Sequence, residues 1–144
     1  NDSVKIFVNE EHTLGLDNIE FYHKFSTNVK ELKKNLIELL TKLKKENKLL
    51  FGYGASAKGN VLLNYCNIDN HILEYVIDTT PLKQGKYTPG THIPVFSPEK
   101  IVHNTENIAL LLAWNYKSEI LEKEKKFREM GGKFLIPIPS PNLI

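Results

Sequence analysis

The chain has 144 residues, enough for one domain with a real core. Apolar residues make up 41% and charged residues 25%, and the net charge of +2 rests almost wholly on lysine, Arg128 being the only arginine; that balance speaks against a nucleic-acid surface built on arginine forks. No apolar run approaches the ~18 residues of a membrane span and no basic-then-apolar leader is visible, while the lone cysteine, Cys66, forms no internal disulfide and points to a reducing, cytoplasmic setting.

The chain opens on Asn1-Asp2-Ser3 rather than methionine. Val4-Lys5-Ile6-Phe7-Val8 alternates β-branched and apolar residues with others, and that pattern predicts a strand. Residues 9–18 are polar and turn-rich and read as a linker. Residues 1–17 are therefore expected to be an end strand and linker belonging to an upstream domain, and residues 18–144 the domain proper. Tyr22, Phe25, Val29, Leu32, Leu36, Leu39 and Leu43 then recur every three or four residues, a heptad-like seam on a helix of about 26 residues. Ser26 or Asn28 could cap an internal start if that helix is broken. Such a seam serves either as a core stripe or as a dimer or interdomain contact. The lysines at 42, 44, 45 and 48 suit a solvated helix end.

From residue 49 the period changes. Leu49–Tyr53 predicts a buried strand, Ala57–Tyr65 a helix and Glu74–Asp78 a second strand. Residues 79–91 form a Pro/Gly/Lys loop, His92–Phe96 a short third strand, and Ser97-Pro98-Glu99-Lys100 a helix start with proline in the first turn. Asn107–Trp114 predicts a fourth buried strand, Lys117–Met130 an amphipathic helix stopped by Gly131-Gly132, and Phe134–Ile138 a fifth strand. Cys66 reads as a small buried hydrophobe. Strands alternating with helices predict an α/β, Rossmann-like three-layer domain with a mostly parallel sheet of about five strands, preceded by a long N-terminal helix.

The junction of the first strand and its helix carries GYGASAKGN, residues 52–60. Gly52-x-Gly54-x-x-Ala57 fits the dinucleotide fingerprint with alanine at the third position. A helix start exposes unpaired N–H groups and a positive dipole end, and glycine lets an anion approach the backbone. Tyr53, Ala55, Ser56, Lys58, Gly59 and Asn60 belong to the same loop, with the Ser56 hydroxyl and the Lys58 charge as further donors to a pyrophosphate. The loop is not a nucleotide-hydrolysing P-loop, because Lys58 precedes Gly59 and Asn60 follows, so no hydroxyl is placed for magnesium. The same glycines could also serve close packing alone. Asp78 ends the second strand about 25 residues past Gly52, where an acid commonly bonds a ribose hydroxyl. Lys83, Gln84, Lys86, Tyr87 and His92 follow at the same sheet edge. The five histidines show no metal spacing, and no Ser/His/Asp set or carboxylate pair stands out. No catalytic or metal residues are expected.

GYGASAKGNVLLNYC, then EYVIDTTPLKQGKYTPGTHIPVFSPEKI, then ALLLAWNYKSEILEKEKKFREMGGKFLIPIP, resemble the C-terminal domain of the sugar C-methyltransferases. The resemblance runs over about residues 18–139. It implies an enzyme acting on a nucleotide-linked keto-deoxysugar, often dTDP-linked. In that enzyme an N-terminal zinc module and a middle domain binding S-adenosylmethionine precede this one. The resemblance also implies that the catalytic tyrosine, glutamate and histidine lie in the middle domain; Phe21-Tyr22-His23 is not their motif. The strand at Val4–Val8 would close the methyltransferase domain. The implied chemistry is deprotonation beside the sugar's keto group, followed by transfer of the methyl group to carbon. This chain would hold the dTDP- or UDP-linked sugar through the GYGASAKGN loop, Asp78 and the Lys83–His92 loop. It would itself bind no cofactor, nucleic acid or membrane. Two other readings share the glycine turn: an NAD(P)-binding domain of an oxidoreductase, and a non-catalytic module that binds nucleotide sugars or a partner protein through the 22–43 seam.

Overall fold

The computed structural model describes residues 2–101 and 107–144. The chain divides into two compact units, Asn1–Glu31 and Leu32–Ile144.

In the first unit, the strand expected at Val4–Val8 is instead part of helix α1, Asp2–Leu14. Alternation over so short a run is a weak signal, and Val4, Phe7 and Val8 also stand at helical spacing. A strand needs a neighbour to satisfy its backbone groups, whereas a helix satisfies them within itself. The helix closes on Gly15 at φ +75°. Gly15 N–H donates to the His12 carbonyl at 3.0 Å and Leu16 N–H to the Glu11 carbonyl at 3.0 Å, the paired bonds of a Schellman cap. Residues 9–18, expected as linker, are thus mostly helix end and tight turn. Asn18 starts the next helix by accepting the Glu20 N–H on its side chain at 3.0 Å.

Helix α2 runs unbroken over Ile19–Lys45, so no internal start forms at Ser26 or Asn28. Of the expected seam, Leu36 and Leu43 are buried together with Leu40, while Tyr22 and Phe25 are exposed. The buried stripe keeps the four-then-three spacing of one helix face, with Leu40 in place of the expected Leu39. This stripe belongs to the core of the second unit.

That unit is built on one six-stranded sheet in the order β3-β2-β1-β4-β5-β6. The strands are β1 (Leu49–Tyr53), β2 (Val76–Ile77), β3 (Val95–Phe96), β4 (Asn107–Leu111), β5 (Lys133–Ile136) and β6 (Asn142–Leu143). The first five run parallel, and β6 lies antiparallel to β5. β6 sits in the proline-rich tail, where a two-residue strand leaves no periodic trace. Along β4, Ile108 and Leu110 pack into one apolar cluster with Leu36, Leu40 and Leu63, while Ala109 and Leu111 pack into a second with Phe51, Phe127 and Phe134. Period-two alternation thus supplies both faces of a sheet covered on each side. Helices α2 and α3 (Ala57–Cys66) cover one face, and α4 (Lys117–Lys123) and α5 (Lys125–Glu129) the other. The result is the expected three-layer α/β, Rossmann-like architecture. Cys66 lies in the first cluster, where burial pushes its thiol pKa up, as an inert packing residue.

Several boundaries differ from expectation. The second and third strands shrink to two residues each, and His92 adopts φ +54°, a left-handed turn rather than a strand. Pro98–Lys100 is a single 3-10 turn; the helix expected to continue from it falls outside the described residues. The helix expected over Lys117–Met130 is broken at Glu124, where φ is −95° and ψ 29°. There the carboxylate turns inward to accept a hydrogen bond from Tyr53 at 2.6 Å. Among the described residues no helix is long and apolar enough to cross a membrane.

Candidate functional site

Strand order reverses between β1 and β4, the neighbours at the centre of the sheet. Open α/β sheets leave a crevice at the carboxyl ends of such strands. The segments that meet there are residues 54–56 after β1, 78–83 after β2 and 112–116 after β4.

The glycine loop is held from all sides. Gly54 N–H donates to the Ile77 carbonyl at 2.7 Å, and Ala55 N–H donates to Asp78 Oδ2 at 2.7 Å. Ser56 is the N-cap of α3, with extended backbone at φ −90° and ψ 156°. Its Oγ accepts the Gly59 N–H at 3.0 Å and donates to the Leu112 carbonyl at 2.9 Å. The hydroxyl expected to meet a pyrophosphate is therefore already bonded, as helix cap and as a tie to β4. Among the described residues, the Ala57 and Lys58 N–H groups are the backbone donors of the loop left without an acceptor. Both residues are exposed on the first turn of α3.

The glycines answer a packing demand. A Cβ on Gly52 would lie 2.8 Å from Leu112 Cδ1, one on Gly54 2.6 Å from Ala113 Cβ, and one on Gly59 2.6 Å from Leu112 Cβ. Ordinary carbon contacts are about 3.5–4.0 Å, so the loop and the first turn of α3 approach the end of β4 as closely as backbone allows. Gly54 also needs φ +89°.

Asp78 is buried at 7% exposure, and both its carboxylate oxygens are taken. Besides Ala55, Lys83 Nζ donates to Oδ2 at 3.1 Å and Thr80 N–H to Oδ1 at 2.8 Å. Burial alone would push this carboxyl up, but the Thr80 hydrogen bonds and then the bond and charge of Lys83 outweigh it and hold the pKa below the ordinary value. Lys83 also donates to the Ala55 carbonyl at 2.9 Å, and Gln84 Nε2 to the Asp78 carbonyl at 2.9 Å. Asp78 is thus the knot joining the loop after β1 to the loop after β2, with three donors already on its carboxylate.

Tyr53 leaves the loop for the other face of the sheet. Burial, followed by the bond and charge of Glu124, pushes its phenol pKa up. Lys86 is exposed on the 79–91 loop. His92 is exposed with its ring 5.4 Å from that of Tyr87.

Three cavities open around Ser56. One, of about 230 Å³, lies between α3 and the 82–89 segment and is lined by Leu63, Leu82, Val95 and Leu112, with Asn60, Lys83 and Lys86 among its other walls. A second, of about 310 Å³, includes Asp78, Thr79, Thr80, Glu119 and Lys123 among its walls, beside Tyr53, Ala113 and Ile120. The third, of about 190 Å³, lies at the start of α3 with Lys58, Asn115 and Tyr116. Of the residues proposed from sequence, Tyr53, Gly54, Ala55, Ser56, Lys58, Asn60, Asp78, Lys83 and Lys86 line one or more of these. Gly52, Gly59 and His92 line none of the three. Sequence reasoning missed the 113–116 segment; the rule that ligands sit at the strand-order reversal points to the loop after β4 as much as to the loop after β1.

Residues 1–139 match the profile of a family described as the C-methyltransferase C-terminal domain. The chain is also 39% identical over 135 residues to the C-methyltransferase NovU of Streptomyces niveus, an alignment covering 94% of this chain and 32% of that relative. The chain therefore spans about a third of the length of the curated relative it matches.

Proposed function

This chain belongs to the family of C-methyltransferase C-terminal domains, and from that premise we propose that it is the substrate-holding domain of an enzyme that methylates a carbon of a nucleotide-linked keto-deoxysugar, dTDP- or UDP-linked. What supports this reading is the convergence of three cavities on Ser56 at the reversal of strand order, with carboxylates, hydroxyls and lysines set among mostly apolar walls. A nucleotide sugar is itself a string of unlike parts: a ring, charged phosphates and hydroxyls. The Ala57 and Lys58 N–H groups, the helix dipole and the Lys58 ammonium suit the phosphates.

S-adenosylmethionine, the methyl donor of such an enzyme, does not fit the fingerprint of this chain. A ribose diol at the end of β2 needs two acceptor sites on one carboxylate, and three of the roughly four that Asp78 offers are taken within the protein. The same argument weighs against an NAD(P) site. We assign the donor and the proton-transfer groups to the rest of the enzyme, which this chain would join as one domain in the cytoplasm. The share of this chain is positional. Holding the sugar so that its reacting carbon faces the methyl donor removes rotational and translational freedom before the chemical step, which can supply several kcal/mol of barrier reduction.

Lys58→Ala tests this assignment. Lys58 makes no ion pair among the described residues, so the variant should melt with the wild type. Its affinity for dTDP or UDP, followed by titration calorimetry, should fall about tenfold for loss of one charge-assisted contact. An unchanged affinity would move the phosphates away from the start of α3.

A further inference from the structure

The second cavity, of about 310 Å³, lies on the α4 side of the sheet edge, with Tyr53 and Ile120 of the second apolar cluster in its walls. It shares Ser56, Ala113 and Tyr116 with the third cavity, the one that contains Lys58. The two are neighbours, and Tyr116 stands at both.

Charge sorts them. Among the described residues Lys58 is the only charged side chain lining the third cavity, so that cavity favours an anion. In the second, Asp78 and Lys83 cancel as an ion pair at 3.1 Å, and Glu119 and Lys123 add one charge of each sign. A phosphate finds no net attraction there, whereas a neutral group carrying both a donor and an acceptor finds a partner for each.

Glu119 and Lys123 stand four residues apart on α4, a spacing at which glutamate and lysine commonly pair. Among the described residues no ion pair joins them, and both are exposed. Each can therefore turn to a ligand. A hydroxyl donates to the Glu119 carboxylate, and a carbonyl oxygen accepts from the Lys123 ammonium, both as charge-assisted bonds. Tyr116 ends the 3-10 turn Trp114–Tyr116 and is 64% exposed. Its ring is an apolar plate that gains from covering C–H groups. The volume is at the lower end of the ~300–1,000 Å³ range of ligand pockets, room for one ring rather than for a whole nucleotide sugar.

We propose that the second cavity is a sugar-ring subsite, in which Glu119 reads a hydroxyl, Lys123 the keto oxygen, and Tyr116 covers the C–H-rich face that a missing hydroxyl leaves on a deoxysugar. This rests on the nucleotide-sugar reading above and adds to it a separate place for the sugar, on the other side of Tyr116 from Lys58, and three specificity-determining residues.

The test is calorimetric titration of the whole chain with dTDP and UDP, each alone and each carrying glucose or a keto-deoxyglucose. Glu119→Gln and Lys123→Met are titrated beside the wild type; both positions are exposed and outside the third cavity, so both variants should melt with it. The wild type should bind the keto-deoxy nucleotide sugar at least tenfold more tightly than the bare diphosphate. Each variant should lose about tenfold of that gain and keep its affinity for the bare diphosphate, and Lys123→Met should also lose the preference for the keto sugar over glucose. No gain from the sugar in the wild type, or a gain untouched in both variants, would overturn the proposal and leave the broader reading standing. If neither diphosphate nor nucleotide sugar bound the wild type, both would fall.

Discussion

Asp78→Asn should lower stability by about 3 kcal/mol at neutral pH, seen as a fall of about 10 °C in Tm. The carboxylate accepts from the Ala55 and Thr80 N–H groups and from Lys83. An asparagine presents one oxygen and one NH₂, so at least one backbone donor meets another donor. Lys83, whose side chain is 44% exposed, can swing to water, which keeps the loss below that of a fully buried pair. The effect carries a pH signature. Because the folded-state pKa of Asp78 lies below its ordinary value, its contribution is fully present above the unfolded pKa of about 3.9 and is lost as pH falls through the folded value. The gap between wild type and variant should hold from neutral pH to about pH 4 and narrow below it. Melting curves across that range check this; a gap that is absent, or that widens on acidification, would contradict the role given to Asp78.

Gly54→Ala should cost about 3–5 kcal/mol, a large part of the 5–15 kcal/mol that holds most domains folded. Two penalties add. The backbone at φ +89° is a region that side chains avoid, worth about 1–2 kcal/mol. The new Cβ would lie 2.6 Å from Ala113 Cβ, an atom fixed to its backbone and unable to rotate away, so β1 and β4 must part at their ends. Denaturant titration gives the value. A cost under about 1 kcal/mol would mean that the strand ends separate easily and that the crevice is not preformed.

Much of the sheet was legible because it is written in apolar runs. β1, β4 and β5 are continuous hydrophobic segments in a parallel sheet covered on both faces, and that pattern survives any detail of packing. The Gly52-x-Gly54-x-x-Ala57 turn identified the strand–helix junction correctly. What it did not reveal is which way the missing Cβ atoms face. They face Leu112, Val76 and Ala113, partners far away in sequence, so the same letters that suit an anion are here used by packing. Ser56 and Asp78 read from sequence as ligand contacts, and their bonds within the fold were not legible there: each reaches a backbone group brought near only by the finished sheet. The break at Glu124 was hidden for the same reason, since the partner of its carboxylate, Tyr53, lies on β1, 71 residues away. Val4–Val8 misled because five alternating residues also satisfy a helix.

The proposed role requires this domain to hold the nucleotide at the edge where β1, β2 and β4 end. Thermal shift of the isolated chain with dTDP, UDP, NAD and S-adenosylmethionine tests it most directly. At about a hundred times its dissociation constant a ligand adds about 2.7 kcal/mol, so dTDP or UDP should raise Tm by about 10 °C, while NAD and S-adenosylmethionine leave it in place. A shift with NAD or S-adenosylmethionine alone, or none with either nucleoside diphosphate, would contradict the claim.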